Sequence, residues 1–271
     1  CRWRACCGAW PSSGAPSGGK CGRGAAGGAP VRRPALLLAG GGTEEEKIRS
    51  GYVEWYRRQP IAVSDPRKSY LDHLRRSGLG EGEIVEHSKI IERLARERQN
   101  ELHPIFFDRT YSSAPARFNT EPNALLVETV RNLAPGRALD VHMGQGRNAV
   151  FLALRGWDVT GFDFSAEGVR TALAAARKAG VAMKALVRRH EDFEFGSARW
   201  DLVVKSYTRV PLRNPYIDRI IESLKPGGII VFEHLMEASG SERAAPWLPR
   251  PNQLPQVFGR LRILRYEDVR A

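Results

Sequence analysis

The chain has 271 residues, 42% of them hydrophobic, and a formal charge of +12. That length exceeds one typical domain and supports a sizeable core, while no apolar run approaches the ~18 residues of a membrane helix. The charge invites a nucleic-acid reading, yet half of it falls in residues 1–42, and no Lys/Arg block with interleaved aromatics follows.

Residues 1–42 are rich in Gly, Ala, Ser and Pro and read as a disordered low-complexity segment. It begins with Cys1 rather than Met, as a linker or upstream sequence would. Arg32-Arg33 before Ala35-Leu36-Leu37-Leu38-Ala39 resembles a degraded export signal with too short an apolar core. All four cysteines (Cys1, Cys6, Cys7, Cys21) lie here. The folded part therefore has no disulfide framework and no cysteine nucleophile, and the spacing suits no metal.

Residues 43–107 read as a helical extension. Thr43 with Glu46 forms a capping box for a helix through about Gln59. Asp65-Pro66 opens a second helix that ends at Gly78-Leu79-Gly80. A third starts near Glu81, with Ile84, Ile91, Leu94, Ala95 and Leu102 at helical spacing. These helices suit simple packing and the cap of an active site equally.

Residues 108–271 read as an α/β domain. Asn123–Leu133 is helical. Strands are expected at about 137–142, 157–163, 182–188, 200–206 and 228–235, with helices at about 146–155, 165–179 and 215–224. Alternation of this kind implies a doubly wound, mostly parallel sheet covered on both faces. Arg262-Ile263-Leu264-Arg265-Tyr266 looks like one more strand.

The turn after the first strand carries the chemistry. Ala138-Leu139-Asp140-Val141-His142-Met143 runs into Gly144-Gln145-Gly146, and Asp163 ends the next strand 17 residues after Gly146. Glycine lets a ligand approach bare backbone. A carboxylate at that strand end can accept both hydroxyls of a ribose, so the pair describes a pocket for an adenosine-containing cofactor. Gly144-x-Gly146-x-x-Ala149, with Asp163 19 residues after Gly144, also satisfies the dinucleotide fingerprint, which keeps an NAD(P)-binding oxidoreductase as an alternative. Asp140 and His142 weigh against it, since the first strand of a dinucleotide fold is near-continuously apolar. A buried carboxylate there needs partners, such as loop amides or the amino group of a bound amino acid.

On these residues the chain resembles the class I S-adenosylmethionine-dependent methyltransferases. Asp140, Gly144 and Gly146 match the family's first motif, an acid followed by alternate glycines. His142 stands where the family has a small residue. Trp200-Asp201-Leu202-Val203-Val204 resembles the fourth strand, and Leu224-Lys225-Pro226-Gly227-Gly228 with Ile229-Ile230-Val231-Phe232 resembles the loop and fifth strand. Gly146-Arg147-Asn148 is similar to small-molecule members of the tellurite-resistance type. The likeness covers residues 105–271.

The resemblance implies a Rossmann-like fold, S-adenosyl-L-methionine as cofactor, a small-molecule methyl acceptor and a cytoplasmic enzyme without metal. It sets the methionine part of the cofactor against Gly144 and Gly146, and makes Asp140 the orienter of the turn or of the cofactor's amino group. Asp163 would hold the ribose, Phe164 would lie against the adenine, and Asp192, with Glu191 as rival, would meet the adenine amino group. Lys205, Ser206 and Tyr207 end the fourth strand near the methyl. Tyr207 and His234 are the catalytic candidates, with Glu233 as a second possible base. Arg147 and Asn148 begin a helix and serve neighbouring loops. Transfer from a sulfonium demands a base only for a protonated nucleophile, which is why no triad is expected. The family's sheet ends in an antiparallel strand for which no residues remain, so the chain reads as a copy truncated at its C-terminus. That, with His142, admits a degenerate binding protein as a further alternative. The oligomeric state is not legible.

Overall fold

The computed structural model describes residues 42–59, 65–97, 99–113, 118–208, 210, 212–213, 215–236 and 248–267. The disordered segment expected over residues 1–42, its cysteines and its arginine pair lie outside them, apart from Gly42. Two compact units divide at Ile105 and Phe106.

The first unit is helical. α1 (Glu44–Arg58) starts at the expected capping box: Oγ1 of Thr43 accepts the Glu46 amide and Oε2 of Glu46 accepts the Thr43 amide. α2 (Pro66–Arg76) is capped by Asp65, which accepts the Arg67 and Lys68 amides. α3 (Glu81–Glu97) follows. Tyr52, Tyr70, Leu74, Ile84, Ile91 and Leu94 bury one another between the three. The ion pairs along these helices, such as Lys68–Asp72, are exposed and add little.

The second unit is α/β. α4 (Gln99–Tyr111) leads into it, and α5 (Ala124–Val130) precedes the sheet. Then come β1 (Arg137–Val141), α6 (Arg147–Leu154), β2 (Asp158–Asp163), α7 (Ala166–Lys178), β3 (Lys184–Val187), β4 (Trp200–Ser206), α8 (Tyr216–Ser223), β5 (Leu224–Glu233) and α9 (Gln253–Val257). The five strands are all parallel in the order β3-β2-β1-β4-β5. Alternate residues serve opposite faces. Leu139, Val141, Phe162, Val203 and Phe232 pack with α8 and α9, whereas Ala138, Val159, Leu202, Val204 and Val231 pack with α5, α6 and α7. β1 neighbours β2 on one side and β4 on the other, so the chain reverses winding beside β1. A crevice opens at such a point, beyond the carboxyl ends of the strands. No described helix is long and apolar enough to cross a membrane.

One expected element is absent. Residues 262–266 form no strand, and among the described residues a single bridge at Glu267 follows. Arg265 instead pairs with Glu128 and Glu267, Tyr266 packs on the core, and Ile263 and Leu264 stay exposed. Alternation alone cannot make a strand without a ladder partner.

Candidate functional site

The first wall of the crevice is the turn from β1 to α6. Asp140 is buried on β1; the Ala149 amide donates to its carboxylate, and Oδ2 has no partner. Burial pushes its pKa up to about 7, opposed by Arg147 and that amide. His142 adopts a left-handed φ of 55°, uncommon outside glycine. Its ring lies 5.4 Å from that of Phe162, 5.9 Å from Phe164 and 5.6 Å from His190. Burial, His190 and Lys205 hold the imidazole well below its usual pKa.

Both glycines of the turn are required by space as well as conformation. At Gly146 (φ 80°) a β-carbon would lie 2.6 Å from Cβ of Ala172, so α6 and α7 could not meet. At Gly144 (φ 53°) it would lie 2.3 Å from the Tyr111 hydroxyl, which covers the turn. Gly144→Ala should therefore cost about 2–3 kcal/mol, combining left-handed strain with the clash. In a Tyr111→Phe background the cost should shrink, because the nearest remaining ring atom is farther away. Denaturant midpoints of the four proteins read this cycle; an equal cost in both backgrounds would refute the clash.

Asp163 ends β2 and ties two loops together. Its Oδ2 accepts the Gly144 amide at 2.9 Å and its Oδ1 the Ser165 amide at 2.8 Å. Burial still pushes its pKa up to about 6, against those amides. Ser165 caps α7 by accepting the Gly168 amide, and its hydroxyl donates to Asp108 at 2.5 Å. Phe164 meets Phe107 edge-on at 5.3 Å, and Phe107, Tyr111 and Phe118 form one aromatic group over the turn. Phe107, Asp108 and Tyr111 were not anticipated. Their signal is Phe106-Phe107-Asp108 with Tyr111 one turn later, which reads equally as ordinary helix packing.

The second wall is the end of β4 and β5. Tyr207 takes a φ of 52° and donates its hydroxyl to Oε1 of Glu233. Oε2 of that buried acid accepts from the Asn123 side chain at 3.1 Å, which also reaches Oγ of Ser206. The Asn123 amide donates to Oδ1 of Asn148 at 3.0 Å. Arg147 lies 5.8 Å over the Tyr207 ring and donates to the Glu121 carbonyl. Since Arg147 also acts on Asp140, it joins the two walls.

Asp140, Gly144, Asp163 and Phe164 thus share one wall, and Tyr207 and Glu233 the other. His234, the other catalytic candidate, is buried after β5, with Nδ1 2.8 Å from the Leu235 carbonyl and Nε2 2.7 Å from the Thr208 carbonyl. Burial holds its pKa below the usual value, and a neutral ring donates to one of the two oxygens. Asp192 is exposed in the loop after β3, where its amide donates to Arg189. Glu191 beside it engages Nδ1 of His190 at 3.2 Å.

Residues 138–228 match the family described as a methyltransferase domain. Hemagglutinin 1 of Eikenella corrodens is 27% identical over 158 residues, 55% of this chain and 52% of that protein, so the chain spans about half the length of the curated relative it matches. The solved structure of TehB from Haemophilus influenzae is similar at 19% identity and a TM-score of 0.45, over 57% of this chain and 54% of that one. A SAM-dependent methyltransferase from Geobacter sulfurreducens, solved in complex with S-adenosyl-L-homocysteine, is similar at 23% identity and a TM-score of 0.38, over 46% and 53%. The matched segment runs from β1 to the start of β5 and contains the glycine turn, the acid before it and the acid that ends β2. What this chain shares with the methyltransferase domain family is therefore the segment 138–228 of its α/β unit.

Proposed function

We propose that the protein transfers a methyl group from S-adenosylmethionine to a small-molecule acceptor. The observation that carries this reading is Asp140. One oxygen of its buried carboxylate is held by an amide and the other has no partner, beside a turn with no side chain at Gly144. An orphaned carboxylate oxygen fits an ammonium, which the methionine end of the cofactor presents. When bound, the cofactor supplies a methyl already activated on a sulfonium, so the protein's task is placement.

The residues divide that task. Asp140 receives the ammonium. Gly144 and Gly146 give the turn its left-handed path, with φ of 53° and 80°. Asp163 keeps its loop amides and offers its remaining lone pairs to the ribose hydroxyls, while Phe164 flanks the adenine and Asp192 receives its amino group. Where the acceptor arrives protonated, Glu233 takes the proton through Tyr207, whose phenol passes its own proton to Oε1 as it receives the acceptor's.

Calorimetry with S-adenosylmethionine, S-adenosylhomocysteine and NAD tests the reading. The two sulfur compounds should bind and NAD should not; NAD binding alone would overturn it. Binding should also release protons. With pKa values of about 7 and 6, Asp140 and Asp163 are partly protonated in mildly acid solution, and an ammonium and ribose hydroxyls favour the ionised forms. Affinity for S-adenosylhomocysteine should therefore climb as pH rises from about 5.5 to 7.5 and then level off. Titrations at pH 6.5 in buffers of different ionisation enthalpy read the protons directly. An affinity that falls over this window would contradict the assignment of both acids.

A further inference from the structure

Lys205 is the buried group that the proposed transfer leaves unused. It occupies the row Phe162–Val141–Lys205–Phe232 across four strands. The other three are apolar, and the lysine itself is 0% exposed. Its Nζ donates to Oγ1 of Thr208 and lies 4.7 Å from the Phe232 ring centre and 5.9 Å from that of Tyr216. Among the described residues no carboxylate holds it, and burial alone pushes it down to about 7.

Buried polar groups without partners stand around it. Tyr216 is buried at the first position of α8, and its hydroxyl has no partner. Nε2 of His142 is also buried without one. His190 links the two, 5.6 Å from the His142 ring and 4.8 Å from that of Tyr216. α8 starts without a side-chain cap, so its first amides and dipole add partial positive charge. Glu191, the acid that acts on His190 and Tyr216, is exposed and engaged with His190. A buried cation without a partner is costly, and so are buried polar groups without hydrogen bonds. The buried Lys205 amine, the Tyr216 hydroxyl and Nε2 of His142 share one remedy, an anion.

We infer that Lys205, with Thr208, Tyr216 and His142, receives an anionic group of the methyl acceptor, so that the substrate is a small organic acid methylated at a hydroxyl, thiol or amine. This rests on the methyltransferase reading above. Lys205 and Tyr207 are two positions apart at the carboxyl end of β4, so one small acid can set its carboxylate at Lys205 and its nucleophile near Tyr207. The charges also divide sensibly: Asp140 and Asp163 serve a cationic cofactor, and Lys205 serves an acid.

The test uses the full chain saturated with S-adenosylhomocysteine. Acetate, benzoate, salicylate and 4-hydroxybenzoate are titrated beside their amides. At least one acid should bind ten times or more tightly than its amide. Lys205→Met and Thr208→Val should erase that preference while both variants keep their hold on S-adenosylhomocysteine. Acids and amides binding alike, no acid binding at all, or a preference that survives in Lys205→Met would each overturn the inference. Failure of the wild type to bind S-adenosylhomocysteine would instead remove the methyltransferase reading beneath it, so the two failures are distinct.

Discussion

Lys205→Met should stabilise the fold by about 2–4 kcal/mol near neutral pH. Burial lowers the amine from 10.5 to about 7, and each pKa unit corresponds to ~1.4 kcal/mol. Between about pH 7 and 10 the unfolded chain binds a proton at Lys205 that the folded chain does not. The wild type therefore loses stability as pH falls through that window, and below it the full penalty, roughly 3–5 kcal/mol, is present. Methionine has similar length and fits a row of apolar neighbours. It forfeits the Thr208 hydrogen bond and the contact with Phe232, about 1 kcal/mol together, which sets the net figure. Unfolding midpoints should rise by several degrees at pH 7, and the gain should fade by pH 10. A gain that is constant with pH would mean that packing, not the buried charge, was responsible.

Asp163→Ala should weaken S-adenosylhomocysteine binding by at least about tenfold. Two charge-assisted hydrogen bonds to a ribose contribute roughly 1.5–3 kcal/mol each, and ~1.4 kcal/mol is one decade. The variant should still fold. Its Gly144 and Ser165 amides lose their acceptor, costing about 1–3 kcal/mol each, but a carboxylate whose burial costs about 3 kcal/mol at neutral pH is removed with them. Calorimetry on the folded variant decides the matter. Unchanged affinity would take Asp163 out of the ribose role and leave it as the clasp between the two loops.

What could be read in the sequence was whatever local chemistry decides. The capping box at Thr43, the Asp65-Pro66 start and the Ser165 cap each act within four residues, and α1, α2 and α7 begin where those signals stand. The β1 turn was legible for the same reason, because glycines at 144 and 146 with an acid before them imply a particular backbone path. The segment 262–266 failed the opposite way. Its alternation is a strand signal, but strand formation needs a neighbour that no local pattern supplies.

The site was legible where a residue's role follows from its place on a strand, and opaque where the partner comes from afar. His234 reads only as an imidazole at a strand end, and the Thr208 carbonyl it meets lies 26 residues away. Glu233, one place earlier, reaches Asn123 across 110 residues. Tyr111 was lost in a helical run, and only the missing β-carbon of Gly144 reveals it. Lys205 ends an apolar run, and the sequence sets it near the methyl without showing that it is buried. Its burial depends on α8, whose Tyr216 comes 11 residues later.

The strand order also sets when the site can exist during folding. β1 meets β2 by pairing Ala138 with Val159, and β2 meets β3 by pairing Thr160 with Lys184. Both are short crossovers. β1 meets β4 by pairing Ala138 with Leu202, 64 positions away, the longest closure in the sheet. Loop entropy disfavours that contact, and pairings distant in sequence are slow. The β1–β2–β3 half, with the glycine turn and Asp163, can therefore assemble while Tyr207, Glu233 and Lys205 are still remote. Ligand added during refolding should meet a half-built crevice first, and the groups that face the acceptor should arrive only with the docking of β4.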